Sequence, residues 1–157
     1  MYKRILLASD GAQESLVALR EGALVARAHG ARVFLLIVQA ETQGIQMASG
    51  IHPVVRDTAA LEDLLALGQG RLRRLGVANE GKMAVGDPAV VIAQTAWSFR
   101  ADLIVVGHRR LTLLERWWSG DSGGYLIDRV NCSVLVARNV ISDAEFEAHM
   151  MAASKGY

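Results

Sequence analysis

The segment that follows the apolar run at 103–106 has the clearest potential for chemistry. The run stops at Gly107, and the next three residues are hydrogen-bond donors: His108, Arg109 and Arg110. A glycine after a buried strand lets backbone N–H groups approach phosphate oxygens, and an arginine can pair with those oxygens directly. We therefore predict that this loop binds phosphate groups.

Two positions of the loop depart from an ideal phosphate site. Arg110 stands where a second glycine is expected, and Asp121, directly after Gly120, stands where a small hydroxyl residue is expected. If the backbone at Arg110 has positive φ, the side chain costs about 1–2 kcal/mol, which pairing of its guanidinium with a phosphate could offset. The Asp121 carboxylate repels phosphate unless Mg²⁺ bridges the two; alternatively, Asp121 or Ser122 caps the helix that follows.

Five short apolar runs alternate with segments of helical period along the chain. We predict strands at 4–9, 33–38, 82–85, 103–106 and 133–137. Helices are predicted at 58–75, from Pro88 onward, and at 125–129. Another helix follows the first strand, with one apolar face formed by Leu16, Leu19, Ala23 and Ala26. This alternation predicts an α/β fold, a parallel sheet with helices on both faces.

The composition limits the classes of protein to which the chain can belong. Of 157 residues, 52% are hydrophobic and 21% are charged, and the net charge is +1. These values are typical of a single globular domain and predict no binding of nucleic acid or of an anionic membrane surface. The lone Cys132 cannot form an intrachain disulfide, and no stretch approaches the ~20 apolar residues of a membrane span. We therefore predict a cytoplasmic protein, and we predict no metal site because the histidines lack metal-ligand spacing.

Residues 140–157 form a tail beyond a domain that we place at 1–139. Ser142 and Glu145 have the spacing of a capping box, which predicts a helix. The helix would carry two apolar stripes, one of Ala144, Ala148 and Met151 and one of Phe146 and Met150. The tail either packs on its own domain or reaches across a dimer.

Four fragments of the chain match a known family in order and spacing. They are residues 3–11, which end in Asp-Gly; 86–89, which read Gly-Asp-Pro-Ala; 101–107, which end in Gly107; and 130–136. With these fragments the chain resembles the universal stress protein family across 3–138. The resemblance implies a Rossmann-like fold, an open five-stranded parallel sheet of order 3-2-1-4-5. The order reverses between strands 1 and 4, where open α/β sheets bind their ligands.

The resemblance also implies a ligand, an adenine nucleotide bound weakly in the crevice between strands 1 and 4. ATP-binding members carry Gly-x2-Gly-x9-Gly followed by Ser or Thr. This chain reads Gly107-x2-Arg110-x9-Gly120-Asp121, so the first and third glycines are present. We therefore expect ATP, with Mg²⁺, as the cofactor.

By the same resemblance, Asp10 contacts the adenine or ribose end of the nucleotide; alternatively, it stabilises a turn beside Gly11. A main-chain contact is expected near the end of the second strand. The predicted contact residues are Ser9, Asp10, Val38, Gln39, Gly107, His108, Arg109, Arg110, Gly120, Asp121 and Ser122.

Three functional hypotheses follow. The first is a stress-response regulatory or binding protein that holds ATP. The second is a dimer like universal stress protein A, with a degenerate loop, no nucleotide, and a function exerted through protein partners. The third is an enzyme, but the chain has neither a G-x-S-x-G elbow nor a G-x-x-x-x-G-K-[ST] loop. We predict no catalytic residues and at most slow ATP hydrolysis.

The fifth strand would lie at an open edge of the sheet. An exposed apolar edge invites pairing with another strand, and this one carries Val134, Leu135 and Val136. The resemblance implies that two copies pair there in antiparallel fashion. We therefore predict a homodimer through strand 5.

Overall fold

The computed structural model describes residues 1–39, 58–107 and 126–154. Five parallel strands form one sheet in the order β3-β2-β1-β4-β5. The strands are β1 (Arg4–Ser9), β2 (Arg32–Gln39), β3 (Asn79–Val85), β4 (Leu103–Gly107) and β5 (Ser133–Ala137). The helices are α1 (Gln13–Ala18), α2 (Arg20–His29), α3 (Thr58–Arg74), α4 (Pro88–Phe99), α5 (Leu126–Arg129) and α6 (Asp143–Ser154). The predicted fold class and strand order are confirmed.

Two hydrophobic cores lie on opposite faces of the sheet, because successive side chains of a strand point to opposite sides. Ile5 and Leu7 of β1 belong to the core under α2, α3 and α6. Leu6 and Ala8 belong to the other core, under α4 and α5. The central strand is thus buried on both faces, as a parallel strand covered by helices must be.

The predicted single helix after β1 is wrong in one respect, because it is broken at Leu19. Leu19 stays in the right-handed helical region, but its ψ of −7° departs from the typical helical value of about −42°; α1 ends at Ala18 and α2 begins at Arg20. Leu19 and Ala23 are buried, whereas Leu16 at the start of the stripe is only half-buried. The apolar period alone did not show the break.

The third strand is longer than predicted and begins at Asn79. Its first residues are polar or glycine, so they carry no apolar signal, yet they pair with β2 from Val33 onward. Gly81 fits because a Cβ there would lie 2.5 Å from the Leu35 carbonyl oxygen. Close backbone approach, rather than strand propensity, explains this glycine.

The turns follow the predicted signals at the helix ends. Gly30 and Gly76 have φ of 60° and 75°, and each follows the end of a helix. Asp87 accepts a hydrogen bond from the Val90 N–H at 3.1 Å, and Pro88 occupies the first helical turn of α4. These residues position α4 directly after the carboxyl end of β3.

The tail helix packs on its own domain. The predicted capping box is present: Ser142 N–H donates to Glu145 Oε2 at 3.1 Å, and Glu145 N–H donates to Ser142 Oγ at 3.2 Å. Phe146 and Met150 enter the core, with 4% and 1% exposed. The stripe of Ala144, Ala148 and Met151 is exposed, because the larger Phe and Met side chains bury more apolar area. Across the described ranges, none of the helices has the length and apolarity required to cross a bilayer.

Candidate nucleotide site

The candidate site lies at the carboxyl ends of β1 and β4. These strands are neighbours, and Ala8 pairs with Val106. Ser9 and Gly107 are therefore the next residues on adjacent strands, whose spacing in a sheet is about 5 Å. The strand order reverses here, with β2 on one side of β1 and β4 on the other. The predicted residues Ser9, Asp10 and Gly107 are thus brought to one crevice.

A buried hydroxyl pair supports the turn after β1. Ser9 is fully buried, and its Oγ lies 2.9 Å from the Oγ of Ser15 in α1. The Gly11 N–H donates to the same Ser9 oxygen at 3.1 Å. Gly11 has φ of 78°, a conformation that a side chain would strain. These buried hydrogen bonds therefore stabilise the conformation of the turn.

Asp10 stabilises the turn through its carboxylate. The Ala12 N–H donates to Asp10 Oδ1 at 3.0 Å, which is the Asx turn proposed as one of its two roles. The residue is half-buried. The turn occupies the N–H groups of Gly11 and Ala12 with its own side chains. A carboxylate is an acceptor, so its chemistry suits a hydroxyl or amino group rather than a phosphate.

The end of β2 lies beside this turn. Val38 is buried, Gln39 is half-buried, and Ser9 pairs with Ile37 on this strand. The Gln39 carbonyl accepts a hydrogen bond from the Gly86 N–H at 3.0 Å. The main chain at Gln39 is thus linked by a hydrogen bond to the turn that follows β3.

Six of the predicted contact residues lie outside the described residues. They are His108, Arg109, Arg110, Gly120, Asp121 and Ser122. The described half of the site therefore consists of the ends of β1 and β2 and Gly107.

Two residues that contact the ends of β1 and β2 were missed by reasoning from sequence. Ser15 carries no motif, and only its spacing of six residues from Ser9 across a predicted turn could have suggested a contact. Gly86 was noted only as part of the Gly-Asp-Pro-Ala fragment, whereas its φ is 147° and its N–H donates to the Gln39 carbonyl at the end of β2. Both depend on backbone geometry that a residue pattern does not encode.

The described residues contain no group of His, Cys, Asp and Glu that could hold a metal ion. Cys132 precedes β5, so it lies at the opposite edge of the sheet from the crevice. Burial, reinforced by the Asp102 carboxylate, raises the pKa of the Cys132 thiol. This thiol therefore stays protonated and weakly reactive at neutral pH.

Solved structures of similar fold come from several organisms. A universal stress protein family protein from Arabidopsis thaliana with AMP bound has a TM-score of 0.61 at 22% identity; the match covers 90% of this chain and 97% of that one. The universal stress protein from Archaeoglobus fulgidus in complex with dAMP has a TM-score of 0.60 at 22% identity; the match covers 87% of this chain and 98% of that one. At sequence identities this low, the structural similarity supports the assignment of the fold alone.

Sequence similarity identifies the family of the chain as well as its fold. A universal stress protein of Thermus aquaticus is 32% identical over 141 residues, which cover 88% of this chain and all of the relative (100%). The model of the universal stress protein family matches residues 1–138. This match spans all five strands and ends before the tail helix. The chain therefore belongs to the universal stress protein family.

Proposed function

We propose that this protein binds an adenine nucleotide in the crevice between β1 and β4, and that it acts as a cytoplasmic stress-response regulator. The observation that carries the proposal is Asp10, a half-buried carboxylate in an Asx turn directly after β1, at the point where the strand order reverses. Ribose hydroxyls and the adenine amino group are donors that match a carboxylate. The AMP and dAMP complexes of proteins with the same fold support this choice of ligand.

The phosphates would lie on the other side of the crevice. Ser9 and Asp10 already engage the N–H groups of the first turn, so the first turn has little to offer a phosphate. Gly107 begins the loop that carries Arg110, Gly120 and Asp121. We assign the phosphates of ATP to this loop, with Arg110 as an anion partner and Mg²⁺ between Asp121 and the phosphates. None of the residues that the structure describes is assigned the role of a general base, and we expect hydrolysis to be slow.

Calorimetric titration of nucleotide-stripped protein tests the proposal. We expect saturable binding of AMP, which requires only the nucleoside half of the site. ATP in the presence of Mg²⁺ should bind more tightly if the loop contributes, and ATP with EDTA should lose that gain. UMP serves as the control for the base. Absence of both binding heat and thermal stabilisation at millimolar nucleotide would overturn the proposal.

A second candidate function is favoured by the loop itself. Arg110 and Asp121 replace a glycine and a small hydroxyl residue of the nucleotide-binding pattern. A protein with this loop could hold no nucleotide and act through protein partners as a dimer, in the manner of universal stress protein A. Failure of the titration would favour this function, and the search would move to proteins that bind the dimer.

We assign the homodimer contact to β5, an edge strand whose one partner among the described strands is β4. Its central residues Val134, Leu135 and Val136 are only half-buried in the single chain. Leu135→Lys should give a monomer in light scattering coupled to size exclusion, because a charge on a paired edge opposes association. Lys82→Glu changes a charge on the opposite edge strand and serves as the control. A Leu135→Lys protein that remains dimeric would exclude this contact.

A further inference from the structure

A groove lies at the amino edge of the sheet, between the last turns of α4 and the chain that leads into β5. Its volume is about 550 Å³, within the range of ligand-binding clefts, which is about 300–1,000 Å³. One wall comes from residues between 93 and 101, and the other from 129–132. The nucleotide crevice that we propose lies at the opposite, carboxyl edge, so the groove is a separate surface.

Trp97 of α4 stands at the rim of this groove with 84% of its surface exposed. Ala93, one helical turn earlier, and Val130 on the facing wall are half-buried and continue the apolar surface into the groove. Tryptophan and arginine are enriched among the residues that dominate the binding energy of protein interfaces. The rim therefore offers a large apolar area that a partner can bury.

Arg100 ends α4 in a backbone conformation that favours glycine. Its φ is 53°, and among the described residues it is the one non-glycine with positive φ. Gly30 and Gly76 occupy the corresponding positions after α2 and α3. The Arg100 side chain is exposed, and no hydrogen bond or ion pair of its guanidinium is found within the described ranges. The guanidinium is therefore available to a ligand at the groove, although glycine would fit the backbone with less strain.

The charge of the groove is positive. Arg100 and Arg129 line it, and none of the described lining residues is acidic. Asp102 adjoins one wall, but its carboxylate already accepts the backbone N–H groups of residues 3 and 4, at 2.7 and 3.1 Å. Asp128 precedes Arg129 and is exposed, outside the lining. The complement of this surface is a group that carries negative charge.

The openness of the groove favours a protein segment over a small molecule. Clefts that hold small ligands bury about 70–90% of the ligand surface. Here Trp97 and both arginines are exposed, so a small molecule would keep much of its surface in water. A segment of a protein carries its own covering surface. Two arginines in a chain of net charge +1 give little attraction for a nucleic acid.

We infer that this groove binds an acidic, amphipathic segment of a partner protein. Carboxylates of the segment pair with the guanidinium groups of Arg100 and Arg129, in the charge-assisted geometry that arginine forms with carboxylates. An apolar side chain of the segment packs between Trp97 and Val130. The inference does not depend on nucleotide binding, because it uses the other edge of the sheet.

Titration of the full-length protein with two synthetic hexapeptides tests the inference. Both have leucine and phenylalanine at the centre; one carries two glutamates on each side, and the other carries glutamines there. At low ionic strength we expect saturable binding of the glutamate peptide, at least about tenfold tighter than that of the glutamine peptide, because the charge-assisted pairs are lost with the amides. Added salt should weaken it. The indole N–H resonance of Trp97, assigned by its absence from Trp97→Phe, should shift on saturation.

Substitutions at the groove separate this site from non-specific attraction. Arg100→Gly should keep the fold, because glycine adopts a φ of 53° without strain, and should weaken binding of the glutamate peptide about five- to tenfold. Trp97→Ala removes an exposed side chain and should weaken binding about tenfold or more. Arg73→Gln removes an exposed arginine of α3 and should leave the affinity unchanged.

The inference is overturned if the glutamate peptide does not bind saturably, or if the glutamine peptide binds as tightly. Full affinity in Arg100→Gly or in Trp97→Ala would equally overturn it. Light scattering should give Trp97→Ala the same mass as the parent protein; loss of an oligomer would assign the groove to a second copy of this chain instead. AMP titration of the same variants should be unchanged, so the nucleotide proposal and this inference fail independently.

Discussion

Two turns at the carboxyl edge of the sheet each contain an aspartate and a glycine, and the aspartate has a different role in each turn. In both, a strand runs into a short turn that holds a glycine at positive φ and an aspartate. The first turn has Asp10 and Gly11, with φ of 78°; the second has Gly86, with φ of 147°, and Asp87. Asp87 caps α4, a helix of 12 residues, through the Val90 N–H. Asp10 bonds within its own turn, and α1 has only 6 residues and no side-chain cap.

The difference follows from the position of each strand. The second turn follows β3, an edge strand, and its aspartate serves a long helix that must be started correctly. The first turn follows β1, where the strand order reverses, and it is supported by buried hydroxyls instead of a helix cap. In our proposal, the side of this turn that faces the crevice contacts the nucleotide. Loss of each support should therefore have separable effects on stability and on binding.

The largest effect on stability is expected from Ser9→Ala. This change leaves the Ser15 hydroxyl and the Gly11 N–H without their buried partner and should cost about 1–3 kcal/mol in the free energy of unfolding. Urea denaturation measures it. Ser98→Ala removes an exposed hydroxyl bond within α4 and should change stability by less than about 0.5 kcal/mol. Equal losses from the two changes would contradict a buried support under the first turn.

Asp87→Ala should have the next largest effect. Loss of this helix cap should cost about 1 kcal/mol, with the affinity for AMP unchanged within error. Denaturation and calorimetry on the same sample measure both quantities. Asp63→Ala, an exposed site on α3, controls for a change of charge alone. A marked fall in AMP affinity would show that the second turn belongs to the ligand site as well.

Asp10→Ala should have the smallest effect on stability and the largest on binding. One partly exposed turn hydrogen bond contributes about 0.5 kcal/mol. The affinity for AMP should fall about tenfold or more, because a charged acceptor for the nucleoside is lost. Asp10→Asn keeps an acceptor oxygen and should recover part of the affinity. If the AMP affinity of Asp10→Ala is unchanged, this residue only stabilises the turn. The two turns would then not differ in ligand binding.

The central elements could be predicted from sequence because burial on both faces gives them an unbroken apolar run. The bounds of β1 and β5 match the predictions, since glycine or polar residues flank them. The edge strand β3 was predicted too short, because its first half holds Gly81 and exposed polar residues. The break at Leu19 was missed because the helical period continues across it.

The candidate site likewise contains residues that were predicted from sequence and residues that were missed. Gly107 was predicted from the apolar run that it ends, and Ser9 and Asp10 were predicted from the family resemblance; the structure places the three at or directly after the carboxyl ends of β1 and β4. Ser15 and Gly86 were not found, because their roles rest on a hydroxyl pair and a backbone hydrogen bond across the sheet edge. Whether the loop residues Arg110 and Asp121 join the site stays a prediction from sequence.

By itself the sequence determined the order of strands and helices and the family to which they belong. Periodicity and turn residues act over a few positions, so they can be read locally. Only the tertiary structure decided which stripe of the tail is buried and what surrounds Arg20. Arg20 would be interpreted from the pattern as one more polar residue of a helix, yet its partner Asp143 is 123 positions away. A long-range pair of this kind arises only when the packing of the sheet brings the two helices together.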